Sequence, residues 1–155
     1  MGKILLEKLL RSCPGIDRIY VLTRSKRGQS PQIRLQSLLE GRLYKKLSED
    51  SPKVLKKIIA IRGDVTEPNL GISTADEETI INNVSVILHV AANVKFDNEL
   101  NNAIEMNVKG TLSMIDLARK IKNLSSFVHV STAYSHCYTA WNSSTKMEEK
   151  FYLGM

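Results

Sequence analysis

The sequence predicts an α/β fold in which a doubly wound parallel sheet is covered by helices on both faces. Apolar runs of strand length recur along the chain, at residues 18–23, 57–62, 85–91 and 126–131. Amphipathic helical segments separate these runs, which is the order expected of parallel strands joined by helical crossovers. The runs are continuously apolar rather than alternating, as is typical of strands that are buried on both faces.

Capping and breaking residues set the boundaries of the predicted elements. Ser30 caps and Pro31 opens the second helix, and acidic residues fill the first turn of the helix that begins at Thr74, where the helix dipole favours them. In chain order we predict a helix over 2–12, a strand over 18–23, helices over 30–41 and 43–47, a strand over 57–62, a loop over 66–73, a helix over 74–83, a strand over 85–91, helices over 98–106 and 109–122, and a strand over 126–131.

Composition and charge favour a globular domain that binds a phosphate-bearing small molecule. The chain has 155 residues, of which 43% are hydrophobic and 25% charged, and its net charge is +6. The basic residues are dispersed and lack interleaved aromatic residues, so we expect no nucleic-acid partner. No apolar run reaches the roughly eighteen residues of a membrane span. The two cysteines and three histidines lack metal-ligand spacing, so we expect no metal.

The chain begins with a helix, whereas a doubly wound sheet normally begins with a strand and a glycine-rich turn. We therefore expect the first strand and that turn to be missing. Gly2 opens the first helix and is a candidate for the third glycine of the turn, which lets the helix pack close to the strand. Such a turn presents backbone donors to the pyrophosphate of a dinucleotide.

Arg24 follows the strand over 18–23, about twenty residues after Gly2, where dinucleotide-binding folds read the ribose 2′ position. A carboxylate at this position would accept a hydrogen bond from a 2′-hydroxyl and select NAD. A guanidinium instead matches a 2′-phosphate through charge-assisted bonds. We predict NADPH as the cofactor; the alternative is a solvated basic turn.

Two further strand ends carry candidate cofactor-binding residues. Asp64 and Val65 follow the strand over 57–62, and the carboxylate is able to accept a hydrogen bond from an adenine amino group or to cap the turn. Ala91 and Ala92 follow the strand over 85–91, and their small side chains let the backbone approach a flat cofactor. Asn107 stands between two predicted helices, as a bridge between helix and sheet backbone or as a plain helix boundary.

Ser131 and Thr132 place two hydroxyls at the carboxyl end of the last predicted strand, the sheet edge where ligands bind in such folds. A hydroxyl there is able to donate to a substrate carbonyl while a tyrosine, its pKa lowered by a lysine, transfers the proton. No Tyr-x-x-x-Lys occurs in the 155 residues. We therefore predict that a hydroxyl of this pair belongs to a catalytic set that is incomplete in this chain; the alternative is two hydroxyls that merely end a strand.

These segments together resemble the NADP-binding domain of the fatty acyl-CoA reductases, an extended short-chain dehydrogenase/reductase family with a Rossmann-like sheet. The segments GDVTEPNLGIS and HVAANVKFD carry most of the resemblance, which extends from Gly2 to about Tyr152. It implies NADPH-dependent reduction of a long-chain acyl-CoA, through an aldehyde, to a primary alcohol. By position, Arg24 would face the 2′-phosphate, Asp64 the adenine, and Ala91-Ala92 the adenosine side. The resemblance also implies that Thr132, with Ser131 as the alternative, is the catalytic hydroxyl.

The resemblance also bears on domain organisation and location. It implies a partial NAD(P)-binding domain, which we place over 1–138; the periodicity fades after Tyr138, so we expect an irregular tail over 139–155. Full-length members are associated with the cytoplasmic face of an intracellular membrane, peroxisomal or of the endoplasmic reticulum, whereas we expect the present chain to be soluble and inactive alone. Alternatives are a non-catalytic truncated product or pseudoenzyme, and another extended-family reductase such as a thioester reductase; GDVTEPNLGIS argues against a sugar-nucleotide epimerase.

Overall fold

The computed structural model describes residues 1–25, 28–94 and 97–132, and these residues form an α/β fold, as predicted. The helices are α1 (Gly2–Ser12), α2 (Pro31–Leu39), α3 (Lys45–Asp50), α4 (Pro52–Leu55), α5 (Thr74–Asn83), α6 (Leu100–Ala103) and α7 (Gly110–Lys120). The strands are β1 (Ile19–Thr23), β2 (Ile58–Arg62), β3 (Val86–His89) and β4 (Ser126–His129). Short 3₁₀ turns span Arg42–Tyr44 and Pro68–Gly71, and a π-helical turn spans Ile104–Lys109.

The strands form two parallel pairs. β1 pairs with β2 in a register that aligns Thr23 with Arg62, and β3 pairs with β4 in a register that aligns His89 with His129. Within the described residues no ladder joins the two pairs. The parallel direction is therefore confirmed, but the four strands do not form one continuous sheet.

Helices cover both faces of the β1–β2 pair and one face of the β3–β4 pair, whose other face leaves Val86, Leu88 and Val128 exposed. On one face α5 and α7 pack over a core that also receives Tyr20 and Leu22 from β1 and Phe127 from β4. The buried residues of this core are Ile61, Leu70, Ile80, Ile87, Leu117, Ala118 and Ile121. On the other face α1 and the Arg42–Asp50 region pack against β2 and form a second core. Its buried residues are Leu6, Leu10, Tyr44, Leu47 and Ile58. The fully buried Tyr44 hydroxyl donates to the Lys3 carbonyl oxygen at 2.8 Å. The shared core holds the two strand pairs together without a connecting ladder.

Local capping places the helix starts where the sequence predicts them. The Ser30 hydroxyl accepts a hydrogen bond from the Ile33 amide at 3.3 Å, and Ser73 does the same for the Asp76 amide at 3.2 Å. α5 accordingly spans the predicted residues Thr74–Asn83. None of the helices formed by the described residues has the length and apolar character needed to traverse a bilayer.

Several predicted boundaries are wrong. The predicted helix over 43–47 is a 3₁₀ turn followed by α3, and α4 was not predicted. Asn107 does not separate two helices, because the chain continues from α6 through the π-helical turn into α7 without a break. The helix also begins at Leu100 rather than at residue 98. The predicted domain limit at residue 138 and the tail over 139–155 lie outside the described residues.

Candidate cofactor-binding and active site

The candidate residues lie at the carboxyl ends of the strands. Because both strand pairs are parallel, Arg24 after β1 and Asp64 after β2 share one end of the first pair. The second pair places Ala91-Ala92 after β3 and Ser131-Thr132 after β4 at its own carboxyl end. In open α/β folds this is the edge at which ligands bind.

Arg24 and Asp64 form an ion pair at this edge. The Arg24 Nη1 atom lies 3.9 Å from Asp64 Oδ2, and the Arg24 side chain is about half exposed. The other carboxylate oxygen, Oδ1, accepts hydrogen bonds from the Thr66 amide at 3.1 Å and the Thr66 hydroxyl at 2.9 Å. Asp64 therefore caps its own turn with one oxygen and directs the other toward the guanidinium. The two predicted roles of Asp64 are geometrically compatible.

Buried Gly63 lets the Asp64 turn lie directly against β1. A Cβ atom at Gly63 would meet the Leu70 carbonyl oxygen at 2.6 Å and collide with Leu22 Cδ1. The adjacent Asp64 amide donates to that same Leu70 carbonyl at 2.8 Å. Absence of a side chain at Gly63 therefore sets the position of the carboxylate that follows it.

Val65, predicted at the cofactor, packs against a helix. A Cβ atom at Gly110, the first residue of α7, would lie 3.0 Å from Val65 Cβ. Val65 also contacts the core beneath α5 and α7. Its observed contacts are those of helix packing, and its predicted contact with the cofactor stays a prediction.

Arg34 is not among the residues predicted from the sequence, yet it reaches the same edge. This α2 residue donates from Nη1 to the Arg24 carbonyl oxygen. The contact ties the basic turn after β1 to the first turns of α2. The sequence feature that could have identified Arg34 is its position ten residues after Arg24, in a helix opened by Ser30 and Pro31.

Asn107 clamps the chain that follows β3. Its side-chain Oδ1 accepts from the Asn93 amide at 2.8 Å, and its Nδ2 donates to the Asn93 carbonyl at 3.1 Å. The side-chain amide thus imitates a strand partner for Asn93. This observation agrees with the predicted bridge between helix and backbone, and Ala91 and Ala92, which precede the clamp, are exposed.

A buried histidine lies beside the clamp. His89, the last residue of β3, is 3% exposed, and its Nε2 lies 3.1 Å from the Thr111 hydroxyl. Its ring stacks on that of His129 in β4, with centroids 5.2 Å apart. Burial, and secondly the neighbouring His129, lowers the pKa of His89 below its ordinary value.

We expect this lowered pKa to make the fold less stable in mild acid. Below pH 6.5, the ordinary histidine pKa, His89 binds a proton in the unfolded chain but stays neutral in the folded chain until the pH reaches its lower folded pKa. The free energy of unfolding should therefore fall as the pH drops through 6.5 toward the lower folded pKa, and this contribution should vanish above 6.5. Urea titrations between pH 7.5 and 5.5 should show a shallower pH slope for His89→Gln than for the wild type.

The comparison with His129→Gln tests the cause of that slope. His129 is exposed and is the second cause of the shift, so its replacement should flatten the slope less than His89→Gln does. Identical slopes in the wild type and His89→Gln would contradict the assignment.

The remaining candidates are placed as follows. Ser131 and Thr132 are exposed after β4, whose register continues through a hydrogen bond from the Val130 amide to the His89 carbonyl at 3.0 Å. Gly2 begins α1, and a Cβ atom there would meet nothing within 4 Å, so its predicted role has no contact to support it among the described residues.

In the part of the chain that the structure describes, no group of three or more histidine, cysteine or acidic side chains could hold a metal ion. The site residues are instead a guanidinium, a carboxylate, small side chains and hydroxyls. These groups are suited to hydrogen-bonding and charge recognition of an organic ligand.

Three curated relatives of this chain are named fatty acyl-CoA reductases. The chain is 48% identical to "Fatty acyl-CoA reductase 1" of Rattus norvegicus over 137 residues, and 47% identical to the Homo sapiens protein of that name over the same length. It is 42% identical over 153 residues to "Fatty acyl-CoA reductase wat" of Drosophila melanogaster. These matches cover 88%, 88% and 99% of the chain, but the chain spans only 27%, 27% and 28% of the relatives.

Solved structures with a similar fold are reductase domains. The terminal R domain of the myxalamid PKS-NRPS pathway matches with a TM-score of 0.68 and 28% identity, over 85% of this chain and 32% of that domain. The reductase domain of a nonribosomal peptide synthetase from Mycobacterium tuberculosis matches with a TM-score of 0.66 and 28% identity. This match covers 88% of the present chain and 31% of the other. The Rossmann-like fold is thereby confirmed. Residues 1–152 match the NAD-binding family described as "Male sterility protein", and the chain belongs to that family.

Proposed function

We propose that this chain supplies the NADPH-binding part of a reductase that converts a long-chain fatty acyl-CoA to a primary alcohol. The observation that carries the proposal is the pairing of Arg24 with Asp64 at the carboxyl ends of β1 and β2, 3.9 Å apart. This arrangement sets a cation for a 2′-phosphate next to an acceptor for an adenine amino group. Membership of an NAD-binding family and 42–48% identity to fatty acyl-CoA reductases support it.

The residues present suit NADPH better than NADH. An exposed guanidinium follows β1, where an NAD-selective fold carries a carboxylate. The Arg24 backbone is held by Arg34, so the side chain starts from a fixed position. A bound 2′-phosphate would also complete the partial neutralisation that Asp64 gives Arg24. Exposed Ala91 and Ala92 leave the neighbouring strand end open to a flat ring.

The chemistry at the second strand pair is polarisation of a carbonyl. NADPH, when bound, would supply a hydride to the thioester carbonyl, from which coenzyme A leaves as the thiol, and a second NADPH would supply a hydride to the resulting aldehyde. Thr132 is exposed after β4, and its hydroxyl is able to donate to the carbonyl oxygen as negative charge develops there. Proton delivery to the product alkoxide requires a further acid, and the 155 residues contain no Tyr-x-x-x-Lys to provide it.

A second candidate function is the reduction of a thioester carried by a synthetase. The reductase domains of nonribosomal peptide synthetases share the fold at 28% identity. Both candidates reduce a thioester and differ in what carries the acyl group. The higher identity to the fatty acyl-CoA reductases favours coenzyme A as the carrier.

An oxidation assay with two proteins tests the proposal. The 155-residue chain, mixed with NADPH and either palmitoyl-CoA or palmitaldehyde, should not oxidise NADPH above a heat-treated control. A chimera of the rat relative, in which this chain replaces the matching 137-residue segment, should oxidise NADPH with both substrates. Thr132→Ala in the chimera should lower kcat by about 10²-fold or more, the usual loss for one carbonyl-polarising donor.

Thr79→Ala is the matched control in the chimera, because the Thr79 hydroxyl bonds only the Ala75 carbonyl within α5 in the described structure. It should leave kcat unchanged. A chimera that folds but reduces neither substrate, or full activity in Thr132→Ala, would argue against the proposed function. Oxidation by the 155-residue chain alone would show that a proton donor other than a Tyr–Lys pair suffices.

A further inference from the structure

The segment that links β3 to the clamp is tied to the helical layer at two points. His89, at the end of β3, contacts Thr111, and Asn93 is clamped by Asn107. The two strand-side residues and the two helix-side residues are each four positions apart, and they pair in antiparallel order. Val90, Ala91 and Ala92 lie between the two ties. We call these four residues, His89, Asn93, Asn107 and Thr111, the brace; Asn93 takes part through its backbone and the other three through their side chains.

Proton accounting fixes the direction of the first tie. The Thr111 hydroxyl lies 2.7 Å from the Asn107 carbonyl oxygen, which is able only to accept, so the single hydroxyl proton goes there. The Thr111 oxygen must then accept from His89, 3.1 Å away. Neutral His89 therefore carries its proton on Nε2, and its Nδ1 is unprotonated. The lowered pKa of His89 is consistent with a neutral ring.

The two ties meet at one residue. The backbone carbonyl of Asn107 accepts a hydrogen bond from the Thr111 hydroxyl, and the Asn107 side chain holds Asn93. It lies in the π-helical turn Ile104–Lys109, where the regular helical hydrogen-bond pattern is altered. Thr111 gives the Asn107 carbonyl a partner in this turn, and His89 fixes the Thr111 rotamer. Orientation of the clamp thus depends on a histidine whose hydrogen bond is to Thr111.

We infer that His89 and Thr111 are positioning residues, which act through Asn107 to hold the Ala91-Ala92 segment in the conformation that receives the cofactor. The inference rests on the proposed function where it assigns that segment to NADPH. The brace itself rests on the hydrogen-bond geometry alone. A histidine that merely filled the core would need neither the Nε2 proton nor the Thr111 hydroxyl.

Two measurements on the 155-residue chain test the brace without any ligand. Long-range ¹H–¹⁵N NMR spectra at pH 7.5 should show His89 as the neutral Nε2–H tautomer. Hydrogen exchange at the Asn93 amide should accelerate on the order of tenfold in Thr111→Val, the loss expected for one weakened hydrogen bond. Thr111→Ser, which keeps the hydroxyl, should restore the slow exchange.

Thr79→Val is the matched control for Thr111→Val. Thr79 makes the same bond to the carbonyl four residues earlier, at 2.8 Å, but no histidine contacts it in the described structure. It should leave Asn93 exchange unchanged. An Nδ1–H tautomer of His89, or equal Asn93 exchange in Thr111→Val and Thr79→Val, would overturn the inference.

A fluorescence titration with NADPH separates the brace from the proposed function. Thr111→Val should weaken NADPH binding about tenfold, and Thr79→Val should not. If the wild-type chain and the chimera bind no NADPH, the proposed function fails. The His89 tautomer and the Asn93 amide exchange rate then still test whether the brace exists. If NADPH binds the wild type and Thr111→Val equally, the positioning role is overturned.

Discussion

Gly63→Ala should lower the free energy of unfolding by about 3 kcal/mol, the cost of inserting a methyl group into a packed region that cannot yield. The new Cβ atom would meet the Leu70 carbonyl oxygen at 2.6 Å. No rotamer change relieves a contact with backbone. The Leu70 residue is itself in a left-handed conformation, with φ of 60°, so its backbone has little freedom to move away.

Urea unfolding followed by far-ultraviolet circular dichroism measures this loss. Gly15→Ala is the matched control, because a Cβ atom at Gly15 would meet nothing within 4 Å. It should change the free energy of unfolding by no more than about 0.5 kcal/mol. The double variant Leu22→Ala/Gly63→Ala should recover little, since only the side-chain collision is removed. Equal midpoints for Gly63→Ala and Gly15→Ala would show that the turn relaxes freely.

Arg24→Gln should weaken NADPH binding by roughly 2–4 kcal/mol, or about 30- to 1,000-fold, because the charge-assisted bonds to the 2′-phosphate are lost. NADH, which has no such phosphate, should bind almost as before. Arg24→Asp should weaken NADPH binding further, and its new carboxylate would also lie near Asp64. Glutamine separates the loss of the guanidinium from that added repulsion.

Titrations of reduced-nicotinamide fluorescence with both cofactors, on the chimera, measure the two affinities. Arg18→Gln is the control, since it removes the same charge just before β1, at the opposite end of the strand. It should leave both affinities unchanged. Equal losses for NADPH and NADH in Arg24→Gln would remove Arg24 from the 2′-phosphate site and leave the Arg24–Asp64 pair a structural one.

Local chemistry explains why most of the secondary structure could be predicted. α5 has the predicted limits because its start depends on Ser73, three residues from the Asp76 amide that it caps. The strands fall within the predicted apolar runs, although β3 and β4 are shorter. Their parallel direction follows from the intervening helices. Information needed for these features lies within a few residues of each of them.

Contacts between distant residues explain what could not be predicted. Asn107 has the punctuation of a helix boundary, but its side chain is bound to Asn93, fourteen residues earlier in sequence, and the helix continues through it. Arg34 acquires its place beside Arg24 only when α2 folds back along β1. The tautomer of His89 depends on Thr111, which lies on another element.

The sequence by itself determined the α/β class, the family, the strand ends that carry Arg24, Asp64 and Thr132, and the lack of a Tyr-x-x-x-Lys, because these depend on residue type and short-range spacing. Only the tertiary structure decided that the strands form two pairs over a shared core and that Gly63 has no room for a side chain. It also decided that Asn107 and His89 brace the Ala91-Ala92 segment. Steric exclusion and hydrogen-bond partnership are properties of pairs of residues in space, which a linear pattern does not contain.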